Sequence, residues 1–395
     1  VQKMEKLFYE TPYVKIFEAR VLDCKPGKDK TYEIVLNRTA FYPEGGGQPA
    51  DTGTLGEAKV LDVRERAEGI VHITDMQLLP GSDVTGTIDW ERRFCHMQNH
   101  TGEHILSGIV HKHYGYDNVG FHMGKDEITV DFNGVLTWEQ AEAIEEEAND
   151  LIWRNIPVVE TCPSKDELAS LDYRSKKELS GQVRIIEIQE GDVCACCGTH
   201  VMYTGEIGVI KVTGLMNYKG GVRMTLRCGK LALLDYRNKM KSVSGISVLL
   251  STKPDEIIEA VDKLKEESMK KEGTIGRLFK ELFEKKVLEY PESDEPLFVY
   301  EKGLTPIQLR QLCTMLYEEK KGSVVLLCSG DDDAYQYAAG SSCRDMRSLS
   351  KAMNHKCNGR GGGNALMAQG TFQASLTDIR EIFENELKGD KDGIK

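Results

Sequence analysis

No stretch of this 395-residue chain reaches the roughly 18 apolar residues that a membrane-spanning helix needs. The opening run VQKMEKLFYETPYVKIFEARV has charges throughout and lacks the unbroken apolar centre of a secretory signal. These two absences predict a cytoplasmic protein. A disulfide framework is missing as well: 11 cysteines, an odd number, are too sparse for one. They are left for packing or metal binding in a reducing compartment. Nor is there a general basic coat. Lys and Arg number 51 against 63 Asp and Glu, giving a net charge of −12. That excludes nucleic acid spread over the whole surface and leaves room for a local basic patch. No HExxH sequence occurs, which counts against a zinc peptidase, and no low-complexity tract or tandem repeat is present.

What is present predicts an α+β protein of several domains, because one core rarely serves 395 residues. Residues 1–89 read as a β-rich, barrel-like domain, with runs such as YEIVLN (Tyr32–Asn37) and GIVHIT (Gly69–Thr74) between Gly, Pro and Asp clusters. Within it, FYPEGGGQPADTG (Phe41–Gly53) is too rich in Gly and Pro for a regular strand or helix. Its three successive glycines permit positive φ and a close backbone approach. From Trp90 the apolar spacing turns helical, and residues 90–240 are expected to form a mixed α/β core with helices near Glu91–Tyr114 and Trp138–Arg154. Residues 241–290 read as a helical arm, either two helices or one kinked at Gly273 and Gly276, with an apolar stripe of Ile257, Val261, Leu264, Ile275, Leu278 and Leu282. Residues 291–395 alternate β and α patterns, a small α/β domain carrying a second glycine cluster, Gly359–Gly363.

The chemistry concentrates in two places. His96, His100 and His104 share one helical face at four-residue steps, and two imidazoles so placed can reach one metal ion. Nearly a hundred residues later, Cys194-Ala-Cys196-Cys197-Gly198-Thr199-His200 offers a thiolate and an imidazole in a tight turn. Two ligands from a helix and two from a turn are the usual complement of tetrahedral zinc, here His100, His104, Cys196 and His200. His96, Cys194 and Cys197 are the spare candidates. The blander readings are a solvated helix face and buried packing thiols.

Four segments resemble the editing domain of alanyl-tRNA synthetases and of free-standing alanyl-tRNA editing proteins. They are FYPEGGGQPADTG, DWERR with HTGEHIL (Asp89–Leu106), CCGTHV (Cys196–Val201), and TGEIGVIKV followed by GGVR (Thr204–Arg223), in the same order. SKAMNHKCNGRGGGNALMAQG (Ser350–Gly370) is similar to the glycine-rich domain that closes alanyl-tRNA synthetase, and a domain shared with some phosphoesterases. With nothing upstream to hold an aminoacylation domain, the resemblance implies a free-standing factor of the longer class. Such proteins hydrolyse tRNA(Ala) mischarged with serine, and often glycine. The resemblance implies zinc on His100, His104, Cys196 and His200, either activating a water or organising the acceptor end. It implies a Thr39 hydroxyl facing the substrate side chain, where alanine would leave a polar group unpaired. Gly45, Gly46, Gly47 and Gln48 would lie by the acceptor end. Where the family has a glutamine after the histidine helix, this chain has Asn118, with His122 a weaker candidate proton carrier; Glu103, between the ligands, is expected to face away from them. A homodimer through the arm and the C-terminal domain is expected. The competing readings are a tRNA-binding module with a structural zinc and no hydrolysis, and a zinc peptidase.

Overall fold

The computed structural model describes residues 4–67, 69–124, 127–175 and 183–388, so the outermost residues of the expected end domains, 1–3 and 389–395, lie outside the described residues. Contacts divide the chain into two units, Val1–Gly245 and Ile246–Lys395. Mixed helices and sheets occur in both.

Six antiparallel strands near the start close on themselves: Ile16–Pro26, Tyr32–Leu36, Gly69–Thr74, Ala58–Arg66, Gly53–Leu55 and Asp83–Ile88, the last pairing with the first. Along Ile16–Val21 side chains alternate between exposed and buried, the period of a strand with one face on a core. Phe17, Val21, Ile34, Leu36, Phe41, Leu55 and Ile70 meet inside. The glycine-rich segment leaves this barrel as an irregular loop, held by a bridge between Gly45 and Gln48 and by Glu44 N donating to Val63 O at 3.1 Å.

The next part of the first unit is a four-stranded antiparallel sheet ordered Ile210–Tyr218, Gly221–Cys228, Ile128–Phe132, Asn118–Met123. Helices Trp90–Tyr114 and Trp138–Trp153 supply Met97, Ile105, Leu106, Ile109, Ile144 and Leu151 to a core shared with Val130, Met224 and Leu226. The boundary expected at 89/90 is a change of element within one unit. Arg93 explains why: its guanidinium is fully buried, pairs with Asp51 of the barrel side and donates to Pro12 O at 2.8 Å. A third sheet, Val158–Thr161, Ile185–Ile188 and Asp192–Ala195, leads directly into the cysteine turn.

In the second unit a five-stranded sheet runs Leu297–Tyr300, Val325–Asp331, Ala334–Gly340, Met367–Gln373, Arg360–Gly363. Only the first pair is parallel, joined through helix Pro306–Glu318, whose Thr305 cap accepts from Gln308 N at 3.4 Å. Within the arm, Ile257–Leu288 is one unbroken helix with Gly273 and Gly276 inside it; a glycine weakens a helix by only ~1 kcal/mol. Residues 241–250 of the arm belong to a preceding helix, Gly229–Leu250. The cluster Gly359–Gly363 includes an edge strand, Arg360–Gly363. An added Cβ would lie 2.4 Å from Gln369 O at Gly361 and 2.0 Å from Met367 O at Gly363, so glycine lets the strands close. The part of helix Gly229–Leu250 that precedes residue 241 was not foreseen: its apolar residues are mostly exposed, so no single buried stripe marks it.

Candidate metal centre

Helix Trp90–Tyr114 begins at Asp89, whose side chain accepts from Arg92 N, and ends at Gly115 with φ 67°. Lys112 lies in its last turn, where a cation suits the negative end of the helix dipole. This framing holds His100 and His104 one turn apart, both buried. Cys196 and His200 arrive from the turn after strand Asp192–Ala195, and one donor atom from each of the four lies within 4.8 Å of the others. The Nε2 atoms of His100 and His200 each stand 3.4 Å from Cys196 Sγ.

The other ring nitrogens decide whether this cluster suits a cation. His100 Nδ1 is 2.9 Å from Gln48 Oε1, and His104 Nδ1 is 2.8 Å from Asp192 Oδ2. An amide oxygen and a carboxylate only accept, so each Nδ1 carries the hydrogen and each Nε2 presents a lone pair. Thr101 Oγ1 donates to Met97 O at 2.8 Å, so it accepts from His200 Nδ1 at 3.2 Å, with the same result. His104 Nε2 is buried with no hydrogen-bond partner, an orphaned lone pair facing the cluster. Three imidazoles held by their outer nitrogens around a thiol are the ordinary support of a metal site.

Electrostatics agree. Burial pushes the Cys196 thiol up, but His100, His104 and His200 outweigh it and hold the thiol well below its ordinary range. Burial pulls His200 down to about 3. Burial also lowers His104, yet the Cys196 thiolate and Asp192 raise it well above an ordinary histidine, so the same negative groups that favour a proton on Nε2 favour a metal cation in its place. A second grouping, His104, Asp192 and Cys194, is equally close. It makes the poorer site, since Asp192 is already taken by His104 Nδ1 and by Arg174, which grips both oxygens at 2.7 Å.

The remaining expected residues are placed as follows. Gln48 is buried; its Nε2 donates to Thr199 Oγ1 at 2.9 Å, while its Oε1 accepts from Thr199 N at 3.1 Å and from His100. It therefore orients His100 and the cysteine turn. Gly46 and Gly47 have φ 59° and 84°, and a Cβ on Gly47 would sit 2.5 Å from Phe121 O. The chain that approaches the glycine turn closely is thus the protein's own strand. Gly45, Gly46, Gly47, Arg64, Glu65 and exposed His122 line an open hollow of about 580 Å³. Thr39 is fully buried, 2.8 Å from His72 Nε2 and accepting from Phe41 N at 3.1 Å. Asn118 donates to Glu103 and, at 3.2 Å, to Ser107 Oγ, away from the four donors. Glu103 is buried in that contact and is not among the clustered donors. His96 stands outside the cluster, its Nδ1 buried without a partner beside a separate hollow lined by Cys95, Asn99 and Leu231. Cys194 is buried and Cys197 exposed.

Sequence reasoning missed the supports. Arg184 donates to Cys196 O at 3.0 Å and to Gly198 O at 2.7 Å, fixing the cysteine turn. A Cβ on Gly198 would meet the His100 ring at 2.0 Å, so only glycine fits there. Thr101 and Thr199 lay within the motifs and were readable; Asp192, Arg174 and Arg184 carried no local signal.

Comparisons with known proteins define the class first. A family described as tRNA synthetases class II (A) matches residues 1–92, the threonyl and alanyl tRNA synthetase second additional domain matches 183–230, and the DHHA1 domain matches 294–389. The chain is thus built from synthetase-type editing and DHHA1 parts. More particularly, it is a relative of the alanyl-tRNA editing proteins. It is 29% identical to alanyl-tRNA editing protein AlaX-L of Pyrococcus horikoshii over 98% of both chains. It is 32% identical to alanyl-tRNA editing protein Aarsd1 of Danio rerio, over 64% of this chain and 65% of that one. An alanine–tRNA ligase of Pyrobaculum neutrophilum is 31% identical over 98% of this chain, which spans only 44% of the ligase. Among the described residues no helix is long and apolar enough to cross a membrane.

Proposed function

We propose that this chain hydrolyses the ester of tRNA(Ala) mischarged with serine or glycine, and that one zinc ion is held by His100, His104, Cys196 and His200. The kinship with alanyl-tRNA editing proteins supports hydrolysis of a mischarged tRNA(Ala). The observation that carries the site assignment is Gln48: a residue of the glycine-rich loop bonds a ligand histidine directly, so the two motifs are one site. Zinc held there would supply a Lewis acid. The chain's own residues do the rest. The Nδ1 partners hold the imidazoles with their lone pairs converging, and the hollow beside Gly45–Gly47 offers bare backbone, the Arg64 guanidinium and the His122 ring to a sugar–phosphate chain. Among these, His122 and Asn118 differ: His122 is open to that hollow, whereas the Asn118 amide is committed to Glu103 and Ser107.

Serine selection is assigned to Thr39. His72 Nδ1 lies 3.2 Å from Ile34 O, so its Nε2 accepts the Thr39 hydroxyl hydrogen. With Phe41 N as a donor, one lone pair remains for a substrate hydroxyl. Thr39→Val should slow serine release several-fold with metal content unchanged; an equal loss on every substrate, with a lowered melting temperature, would mark the hydroxyl as barrel packing. A homodimer goes with this reading, since Ile258, Val261, Leu264, Ile275, Leu278 and Leu282 on helix Ile257–Leu288 are exposed; sedimentation at several concentrations tests it.

A second reading has one observation in its favour. Four protein donors close a tetrahedral ion, which suits a structural metal in a tRNA-binding module. Serine release from seryl-tRNA(Ala), with alanyl-tRNA(Ala) as control, separates the two. Release by the zinc-loaded protein supports the hydrolase, and tight tRNA binding with no release supports the module.

A further inference from the structure

Behind His104 runs a line of three side chains whose last member touches no ligand. Asp192 Oδ2 takes the His104 Nδ1 hydrogen at 2.8 Å, and Arg174 grips the same carboxylate with Nε on Oδ1 and Nη2 on Oδ2, both at 2.7 Å. His104 and Asp192 are buried, and the Arg174 side chain is 12% exposed. Its backbone is held too: Arg174 N donates to Val193 O at 2.8 Å, and Arg174 O accepts from Ala195 N at 2.9 Å. Arg174 thus lies alongside the strand that delivers Cys196, while its side chain reaches the support of His104. One residue braces ligands from both motifs.

A carboxylate bonded only to an imidazole is free to turn about its last torsion, and the ring swings with it. A two-pronged guanidinium fixes the plane of the carboxylate and so the direction of the Nε2 lone pair. We propose that Arg174 is a positioning residue for His104, acting through Asp192 to set how tightly the metal is held. The proposal rests on the metal reading of the four-donor site. The alternative is a salt bridge that only fastens residue 174 to the strand.

The test is metal affinity, measured by competition with a chelator of known strength, together with the visible spectrum of the cobalt-loaded protein. Asp192→Asn should weaken binding ~10–100-fold. Arg174→Gln should weaken it less, about 10-fold, and Arg174→Lys should fall between that and wild type, because an ammonium is a point charge without the fork. The double variant should bind no more weakly than Asp192→Asn alone, since the arginine acts only through the carboxylate. Each variant should shift the cobalt bands. Wild-type affinity and spectrum in Arg174→Gln, or losses that multiply in the double variant, would overturn the proposal. Should Arg174→Gln fail to fold, Arg174→Lys decides alone: wild-type affinity there overturns it. A wild-type protein that holds no metal is a different result, because it removes the metal reading itself.

Discussion

Cys196 in the first unit is half-buried and Cys328 in the second is fully buried, and their neighbours differ in kind. Cys328 packs in a cluster with Leu326, Tyr337, Leu349 and Phe372, and burial pushes its thiol up. The same holds for Cys313 on the other side of that sheet. Around Cys196 burial acts in the same direction, but three imidazoles reverse the outcome. Burial therefore does not decide what a thiol is for; the charges it faces do. The contrast extends to the cores. The first unit buries polar pairs, Arg93 with Asp51, Asn118 with Glu103 and Thr39 with His72, while the second joins its sheet to its helices chiefly through hydrocarbon.

Replacing the two thiols gives the largest expected difference. Cys196→Ala removes the only sulfur donor, and bound metal should fall from about one ion per chain to nearly none, since structural zinc sites are worth ~10–16 kcal/mol and tolerate no missing ligand well. Cys328→Ala should keep its metal and lose about 1 kcal/mol of stability, the usual scale for a small buried deletion. Metal analysis and urea unfolding of the two purified proteins check both. Metal retained in Cys196→Ala would transfer the sulfur role to Cys194 or Cys197 and undo the contrast.

A smaller effect separates the cores. Arg93→Ala strands the Asp51 carboxylate without its partner, which is expected to destabilise by about 3–5 kcal/mol. Phe383→Ala, in the second unit, should lose a similar ~3–5 kcal/mol through its cavity. The sizes match and the causes differ. Adding Asp51→Ala should recover part of the Arg93→Ala loss, because the unpaired charge is then gone, as urea midpoints of the single and double variants would show. Full additivity would mean that the pair contributes packing alone.

These residues also show what was legible beforehand. The four clustered donors, His100, His104, Cys196 and His200, were readable because helical spacing and a tight Cys/His turn are local patterns. Helix Trp90–Tyr114 was readable from its apolar period, and the parallel pair Leu297–Tyr300 and Val325–Asp331 from unbroken apolar runs. Asp192, Arg174 and Arg184 were not readable, since an ordinary charged residue gains its role only when folding brings it against a partner ten to ninety residues away. The barrel-like character of residues 1–89 was expected from its strands and turns, but the pair that closes the barrel was hidden for a related reason: Asp83–Ile88 pairs with Ile16–Pro26 across the whole domain. Thr39 shows a different limit: the motif pointed to a substrate side chain, but nothing in it marked His72, which holds the same hydroxyl inside the protein.

The two glycine runs allow the finest comparison. Gly47 needs glycine twice over, for φ 84° and for Phe121 O at 2.5 Å from any added Cβ. Gly47→Ala should destabilise by about 1–3 kcal/mol. It should also weaken metal binding, because the next residue is the Gln48 that orients His100. Gly362 lies in the edge strand, and an added Cβ there meets open space. Gly362→Ala should stay within about 0.5 kcal/mol of the parent and leave metal affinity unchanged. A small gain is reasonable, since alanine restricts the unfolded chain. Gly361 and Gly363 on either side have no such room, so the second run is a strand that requires glycine at alternate positions. If Gly362→Ala folds as well as the parent but weakens tRNA binding, then the open face of that strand is kept bare for the nucleic acid, and the two glycine runs would be alike in serving close approach: one to a strand of its own chain, the other to a ligand.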